Sequence, residues 1–475
     1  MWGDELQAWL IARDSTSFFD LLHNLRYEGH PGLWHLLLYI PAHVSWNPVS
    51  MQVINFFIAV GAAWLILSMR RMHWILRITL AFSIFPFYYN GVIARNYMLA
   101  MFLLIAASRC LFADKPHKWL AVICLALSLH AHVFAVPVAA MIFIIYFCFR
   151  EPDSWKTPMR AFARRDFQIA SFFLLGSLIL AYMIVRPPAD VYTPHYDYAG
   201  KASLVTYALI TEGKTWQLLL PVPESVLPAG LAEYLAPRTH VSAIASLFSL
   251  LVLLIPFAAL RSKRARIFLA SSFLVEIVAM AATVHIPAIR HFGLIFTAIV
   301  VAIMADAYDA PVVPEQDTTL RRFALPMLMF CLAIQVGMSA VMSAQDWKRP
   351  FSDDKDAALW LDRSGMHDNP IVIEPASQGT SLIGYMQKDK AFYPECNCFG
   401  SFILYNRNRH PEKQVTADQV RQLYQTSHRS VLIASRYPLS QSRQTELGVS
   451  MVHSFDPHPM LSVESIYIYQ QTIFR

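Results

Sequence analysis

Hydrophobic residues fall along this chain in long unbroken runs rather than in the alternating or one-faced patterns of soluble elements. From about residue 50 to residue 343 the runs recur at lengths able to cross a bilayer, which takes roughly 20 helical residues. Ten spanning helices are expected: Met51–Met69, Trp74–Tyr89, Val92–Phe112, Trp119–Val133, Phe134–Phe149, Phe167–Val185, Val241–Leu260, Ile267–Val284, Phe292–Met304 with its flanks, and Phe323–Val341. The connections at Asn90 and His132 are short and predict tight turns. Before the first run the pattern differs. Leu6, Trp9 and Leu10, then Phe18, Phe19, Leu22 and Leu25, repeat at helical spacing, and Ser17 with Asp20 forms a helix-start signal. Two short amphipathic helices at the membrane surface are expected. A third apolar stretch, Pro31 to about Trp46, is expected to be interfacial, because counting it as a span would invert the later loops.

Past Asp346 the composition becomes that of a soluble domain. Ile371–Glu374, Ser430–Ala434 and Ile466–Tyr469 are β-branched or aromatic runs, separated by helical patterns such as Asp354–Leu361 and Thr416–Thr426. That order predicts a small α/β domain. The fold class expected is therefore an all-α polytopic membrane domain followed by a small α/β soluble domain. Three parts are delimited: an external amphipathic segment over 1–48, a multi-pass domain over 49–344 and an extracytoplasmic domain over 345–475.

Composition agrees with the integral-membrane class: of 475 residues, 56% are hydrophobic and only 15% charged. The formal charge of +6 is no nucleic-acid footprint, because the basic residues sit in short loops between runs. Arg70-Arg71, Lys115 and Lys118, the Arg150–Arg165 stretch, Arg261–Arg266 and Arg321-Arg322 all fall on one side of the alternation. By the positive-inside bias that side is the cytoplasm. The segment to Pro48, Tyr88–Tyr97, His130–His132, Arg186–His240, His285–His291 and everything after Met342 then face outward.

Met1–Ser17, holding Asp4, Glu5, Arg13 and Asp14, does not read as a removable signal peptide. Cys110, Cys124, Cys148 and Cys331 lie within or at the ends of runs and read as small buried hydrophobes. Cys396 and Cys398 are spaced too tightly for an ordinary disulfide and are too few for a zinc site.

Chemistry-bearing residues collect on the outward side. Asp4-Glu5 offers a carboxylate to accept a proton, though acidic residues also suit a helix N-terminus. Neighbouring helical positions diverge, so only one of the two should face a reacting centre. Glu28-Gly29-His30-Pro31 is a sharp turn that can aim Glu28 and His30 the same way. Two ligands do not make a metal site, so no metal or other cofactor is expected, and a divalent ion is the weaker alternative. Ala94-Arg95-Asn96-Tyr97 and Arg290-His291 place guanidinium groups where a lipid-linked phosphate could be met, or where an Arg merely reaches the interface. His130 and His132 can hydrogen-bond sugar or phosphate, or be plain interfacial residues. Tyr88 and Tyr89 fit an aromatic belt. Tyr192, His195, Tyr196, Asp197 and Tyr198 could close over an acceptor, or form a tether. Glu276 stands mid-span, where an ionisable group is costly and usually functional.

In order, these motifs resemble those of the GT-C superfamily, membrane glycosyltransferases of the protein O-mannosyltransferase and aminoarabinose-transferase kind. The acidic pair resembles that of the superfamily's first external loop. Pro31-Gly32 stands where a double proline is usual, and His291 where an aromatic is usual. Trp347-x-x-Pro350-Phe351-Ser352 resembles the start of the tail domain in some members. The resemblance implies an inverting transfer of sugar from a polyprenyl-phosphate donor to a glycan, lipid or protein acceptor, in a bacterial inner membrane. It makes Asp4 the base and Glu5 its support. Arg95, Tyr97, Arg290, His130, His132, Glu28 and His30 would bind substrate or phosphate. In that superfamily a transmembrane helix precedes the acidic loop, so the start is expected to be late or the chain a fragment. The alternative class is a flippase, polymerase-like protein or transporter of lipid-linked sugars, built around Glu276.

Overall fold

The structure, a computed structural model, describes residues 3–149, 157–191, 203–222, 227–236, 240–284, 287–309, 318–348, 352–376, 379–455 and 465–472. It is predominantly helical, with one small mixed sheet near the C-terminus. The chain forms two compact units. The first gathers Met1–Val53, Ile184–Pro194 and Ala344–Arg475; the second takes Ile54–Met183 and His195–Ser343.

In the first unit the N-terminal segment and the tail fold together. Three helices open it: α1 (Gly3–Asp14), α2 (Phe18–Leu25) and α3 (Leu33–Val44). The tail builds a six-stranded sheet from β1 (Ile371–Glu374), β2 (Ala391–Tyr393), β3 (Cys398–Gly400), β4 (Leu432–Ser435), β5 (Val449–Phe455) and β6 (Ile466–Gln471). Their order is β3-β2-β1-β4-β6-β5, with β1 parallel to β2 and β4 and every other pair antiparallel. The mixed α/β tail and the strands expected at β1, β4 and β6 are present. The short β2 and β3 and the edge strand β5 had no comparable hydrophobic run to mark them.

α1 is not a surface helix. Every residue from Glu5 to Arg13 is buried, so the stripe of Leu6, Trp9 and Leu10 is only one of its covered faces. α3 covers one side of it and the tail helix Gly379–Met386 another. Leu10 joins the core formed by Ile371, Ile373, Leu382, Ile383, Ile466 and Ile468. Gly384 sits where a Cβ would meet Leu6 side-chain atoms at 3.0–3.4 Å, so the two helices touch almost backbone to side chain. Burial of a leucine or isoleucine is worth about 1.5–3 kcal/mol, and α1 buries Leu6, Leu10 and Ile11 beside Trp9. Polar ties fix its register. Gln7 Nε2 donates to the Ile403 carbonyl at 2.7 Å, and the Ile403 N–H donates to Gln7 Oε1 at 3.0 Å. Arg13 donates to the Lys388 carbonyl at 2.7 Å, Thr380 to the Gly3 carbonyl at 3.0 Å, and the Ser401 hydroxyl to Asp14.

α2 and α3 do keep the exposed apolar faces expected of them. Ser17 caps α2 by accepting from Asp20 N–H at 3.1 Å, while the Asp20 carboxylate reaches back to Thr16 N–H at 2.8 Å rather than to Ser17. Phe18 and Phe19 stay exposed. α3 buries Trp34, His35, Leu38 and Ala42 and exposes Leu36, Leu37, Ile40 and Val44, so it is apolar on both sides. Its 12 residues span about 18 Å, short of the roughly 30 Å apolar core.

Cys396 and Cys398 form a disulfide with Cα atoms 5.2 Å apart, against the expectation from their spacing. They lie on the β2–β3 hairpin, where Tyr393 pairs with Cys398 and Asn397 takes φ 50°, folding the two cysteines toward each other.

The second unit holds the apolar helices. Among the described residues, five helices are long and apolar enough to cross a membrane: Val49–Leu67, Arg165–Val185, Lys263–Thr283, Ile289–Asp309 and Thr319–Lys348. Asn96–Leu111, Lys118–Ala131, Ala135–Cys148 and Ala243–Ala259 are apolar but shorter. The Trp74–Tyr89 run is interrupted: an α-helix, Trp74–Ala81, gives way to a π-helix, Phe85–Val92, so it is not one unbroken α-helix. Phe292–Asp309 is the core helix, buried at each position from Phe292 to Ala305. Around it Phe57, Trp64, Phe172, Leu274 and Phe323 expose large apolar side chains, a surface that water would not stabilise and lipid would.

Candidate functional site

Within the second unit, three helix ends converge on one cluster. The Asn96 side chain donates to the Ala131 carbonyl at 3.0 Å, tying the start of Asn96–Leu111 to the end of Lys118–Ala131. His132, the residue that stops the latter helix, lies tilted with its ring centre 4.3 Å from that of the buried Tyr97. His291, in the single turn Ile289–His291 that leads into Phe292–Asp309, lies 6.3 Å from Tyr97 and 6.0 Å from Phe134. Arg95 precedes the first of these helices, its guanidinium 5.6 Å from the Tyr97 ring centre. Arg290 shares the turn with His291.

Both histidines have a fixed tautomer. His132 Nδ1 accepts from the Phe134 N–H at 3.0 Å, and His291 Nδ1 accepts from the Ala288 N–H at 2.9 Å. A ring nitrogen that accepts carries no proton, so each neutral imidazole bears its proton on Nε2. The Arg95 guanidinium and two imidazole N–H donors, with Arg290 in the adjoining turn, make this cluster suited to an anion.

The opposite ends of the same helices are also tied together. Arg71 pairs with Asp114 at 2.7 Å, Lys118 and Arg164 with Asp166 at 2.9 Å each, and Arg264 with Asp309. Asn96–Leu111, at 1.5 Å per residue, separates the two belts by about 24 Å.

The structure does not draw every expected residue into this cluster. His130 turns the other way, its Nε2 3.0 Å from the Ser177 hydroxyl on Arg165–Val185. Tyr88 and Tyr89 are buried within the π-helix and form no lipid-facing belt. Glu276 is fully buried one turn from the buried Ser272, and neither carboxylate oxygen finds a hydrogen-bond donor among the described residues. Tyr192, His195, Tyr196, Asp197 and Tyr198 lie outside the described residues. Elsewhere in that loop the chain is no tether: Leu204–Glu212 is a helix and Thr215–Leu218 a buried single turn. Lys214 between them, only 2% exposed, was not singled out by sequence, where it looked like one polar residue in an external loop.

The first unit holds the acidic group. Asp4 and Glu5 occupy the first turn of α1, Asp4 exposed and Glu5 buried, the divergence that helical geometry requires. Gly29 takes φ +67°, which lets the chain reverse between Glu28 and His30, both half-buried. Glu28 accepts from Gln7 Nε2 at 2.6 Å, which brings the turn against α1 one turn from Asp4. The tail contributes two phenols. Burial, then the negative charges of Glu28 and Asp4, push the Tyr405 hydroxyl well above its ordinary range. Burial, then Glu5, Asp354 and Asp356, do the same to Tyr385. The Tyr405 loop is held by Arg409, which donates to the Leu404 carbonyl at 2.9 Å and pairs with buried Glu395 at 3.3 Å. Among the described residues no group of three or more His, Cys, Asp or Glu has the arrangement of a metal site.

No protein-family model matches this chain, and neither a curated protein nor a solved structure does.

Proposed function

We propose that this chain is an integral membrane glycosyltransferase of the GT-C kind, moving a sugar from a polyprenyl-phosphate donor to an extracytoplasmic acceptor with inversion. The observation that carries the reading is the cluster of Arg95, Tyr97, His132, Arg290 and His291 at one end of apolar helices. A lipid-linked phosphate keeps its tail in the bilayer and its charge at such an end. As the sugar–oxygen bond breaks, charge grows on the leaving phosphate, and Arg95 and Arg290 would stabilise it with His132 and His291 as neutral donors. Electrostatic stabilisation of this type is worth on the order of 10²-fold per donor. The acceptor hydroxyl must lose a proton, and the resemblance gives that role to Asp4. The exposure of Asp4 and the burial of Glu5 favour Asp4 over its neighbour. Glu28, His30 and His130 remain assigned to substrate binding by the same resemblance. On this reading the ten helical segments are spans of a bacterial inner membrane, with the paired basic belt toward the cytoplasm.

Glu276 favours a second reading, translocation of the lipid-linked sugar, because an ionisable group inside a span marks a substrate or ion path by default and Glu276 finds no hydrogen-bond donor among the described residues. Purified protein in vesicles loaded with a labelled polyprenyl-phosphate sugar separates the two. A transferase consumes the donor and releases polyprenyl phosphate once acceptor is present. A translocator leaves the donor chemically intact and changes only its leaflet.

A further inference from the structure

The peptide group between Pro287 and Ala288 is hydrogen-bonded on both sides. Its carbonyl accepts from Lys214 Nζ at 3.3 Å, and its N–H donates to His291 Nδ1 at 2.9 Å. An ammonium on the carbonyl side polarises the amide and strengthens the N–H as a donor, since successive hydrogen bonds reinforce each other in a low-dielectric interior. Lys214 therefore acts on the imidazole through a single peptide plane.

The lysine is itself firmly placed. Its N–H donates to the Thr211 carbonyl and its carbonyl accepts from Gln217 N–H, both at 3.2 Å. The Trp216 N–H donates to the Ser249 hydroxyl at 3.2 Å and its indole to the Leu235 carbonyl at 2.8 Å. Gln335 donates to the carbonyls of Leu218 and Leu219 at 2.9 and 3.2 Å. The ammonium thus projects from a buried wedge rather than a mobile loop.

We propose that Lys214 is a positioning residue that locks His291 in its Nε2–H tautomer through the Pro287–Ala288 peptide, so that His291 donates to a phosphoryl oxygen. The ligand class rests on the transferase reading above; the coupling of Lys214 to His291 does not.

The test uses full-length protein in nanodiscs with ¹⁵N-labelled histidine, the His291 signal being assigned by its loss in His291→Gln. In wild type and Lys214→Arg the ring is expected as the single Nε2–H tautomer. In Lys214→Met, which keeps an unbranched chain one atom shorter and removes the charge and the donor, the Nδ1–H tautomer is expected to appear. Binding of undecaprenyl phosphate is expected to weaken about 10-fold in Lys214→Met, the usual loss for a hydrogen bond to a charged group. It should weaken no further when Lys214→Met is added to His291→Gln, because the two residues act as one. A His291 ring that stays wholly Nε2–H in Lys214→Met overturns the proposal, as does an effect of Lys214→Met undiminished in the His291→Gln background. A tautomer that shifts while undecaprenyl phosphate binding is unchanged supports the coupling and overturns the transferase reading of the cluster. Lys214→Arg retains the donor and the charge, so a Lys214→Met protein that failed to fold would leave the wild-type and Arg tautomers as the deciding comparison: a mixed tautomer in either overturns the proposal.

Discussion

Replacing Gln7 by alanine probes whether the N-terminal helix and the tail are one folded body. The Gln7 side chain is buried and makes three hydrogen bonds, two with the Ile403 backbone and one with Glu28. Truncation leaves the Ile403 N–H and C=O without partners, at about 1–3 kcal/mol for each buried group. Glu28 is half-buried and recovers a water, so it adds little. A total near 3 kcal/mol corresponds to about 100-fold in an opening equilibrium. Hydrogen exchange read by mass spectrometry should therefore show the Ile403 amide and its neighbours exchanging about 100-fold faster in Gln7→Ala, where local opening sets the rate. Gln7→Glu should be worse at neutral pH, because it loses the donor to the Ile403 carbonyl and sets a second carboxylate against Glu28. Acidification should recover part of that extra loss. Unchanged exchange around Ile403 in Gln7→Ala would refute the claim that α1 is tied into the tail.

Two further perturbations follow from buried carboxylates. Asp354 accepts from the Ser352 and Ser381 hydroxyls, yet burial outweighs them and Arg436 and raises its carboxyl above the ordinary value of 3.8. The folded state then binds the proton more tightly than the unfolded state, so stability contributed by this group falls as pH rises from about 3.8 through the raised value. Asp354→Asn should flatten that slope in chemical denaturation at a series of pH values; an unchanged slope would show the carboxyl is not its source. Glu276→Gln keeps the side-chain volume and should leave glycosyl transfer intact in the vesicle assay, whereas loss of donor movement between leaflets in this variant would favour the translocation reading.

The helical runs were legible because hydrophobic length is a local property: each of the ten expected segments contains helix, and the strands at β1, β4 and β6 stand on β-branched residues. The interruption at Phe85–Val92 was only half legible: Pro86, Asn90 and Gly91 mark a break there, but a tight turn at Asn90 was expected where a π-helix runs through it. The burial of α1 was illegible for a different reason. Its polar ties run from Gln7 to Ile403, a separation of 396 residues, and no short-range periodicity can announce a partner that distant. The site divides in the same way. Arg95, Tyr97, His132 and Arg290 could be picked by residue type and position. His291 looked like a departure from a motif, and Lys214 like loop polarity, because their coupling passes through the Pro287–Ala288 backbone rather than through side chains that a sequence displays. The Cys396–Cys398 pair misled because spacing alone does not record that a hairpin folds two residues toward each other.

Single-turnover transfer from a polyprenyl-phosphate sugar by reconstituted protein, compared between wild type, Asp4→Asn and Glu5→Gln, bears most directly on the transferase reading. The expected result is an inverted product from wild type, a loss of about 10²–10⁴-fold in Asp4→Asn as for removal of a general base, and retained donor binding in both variants. Transfer that proceeds in Asp4→Asn at the wild-type rate would contradict the assignment of the base, and a donor left intact by wild type with every acceptor class offered would contradict the reading itself.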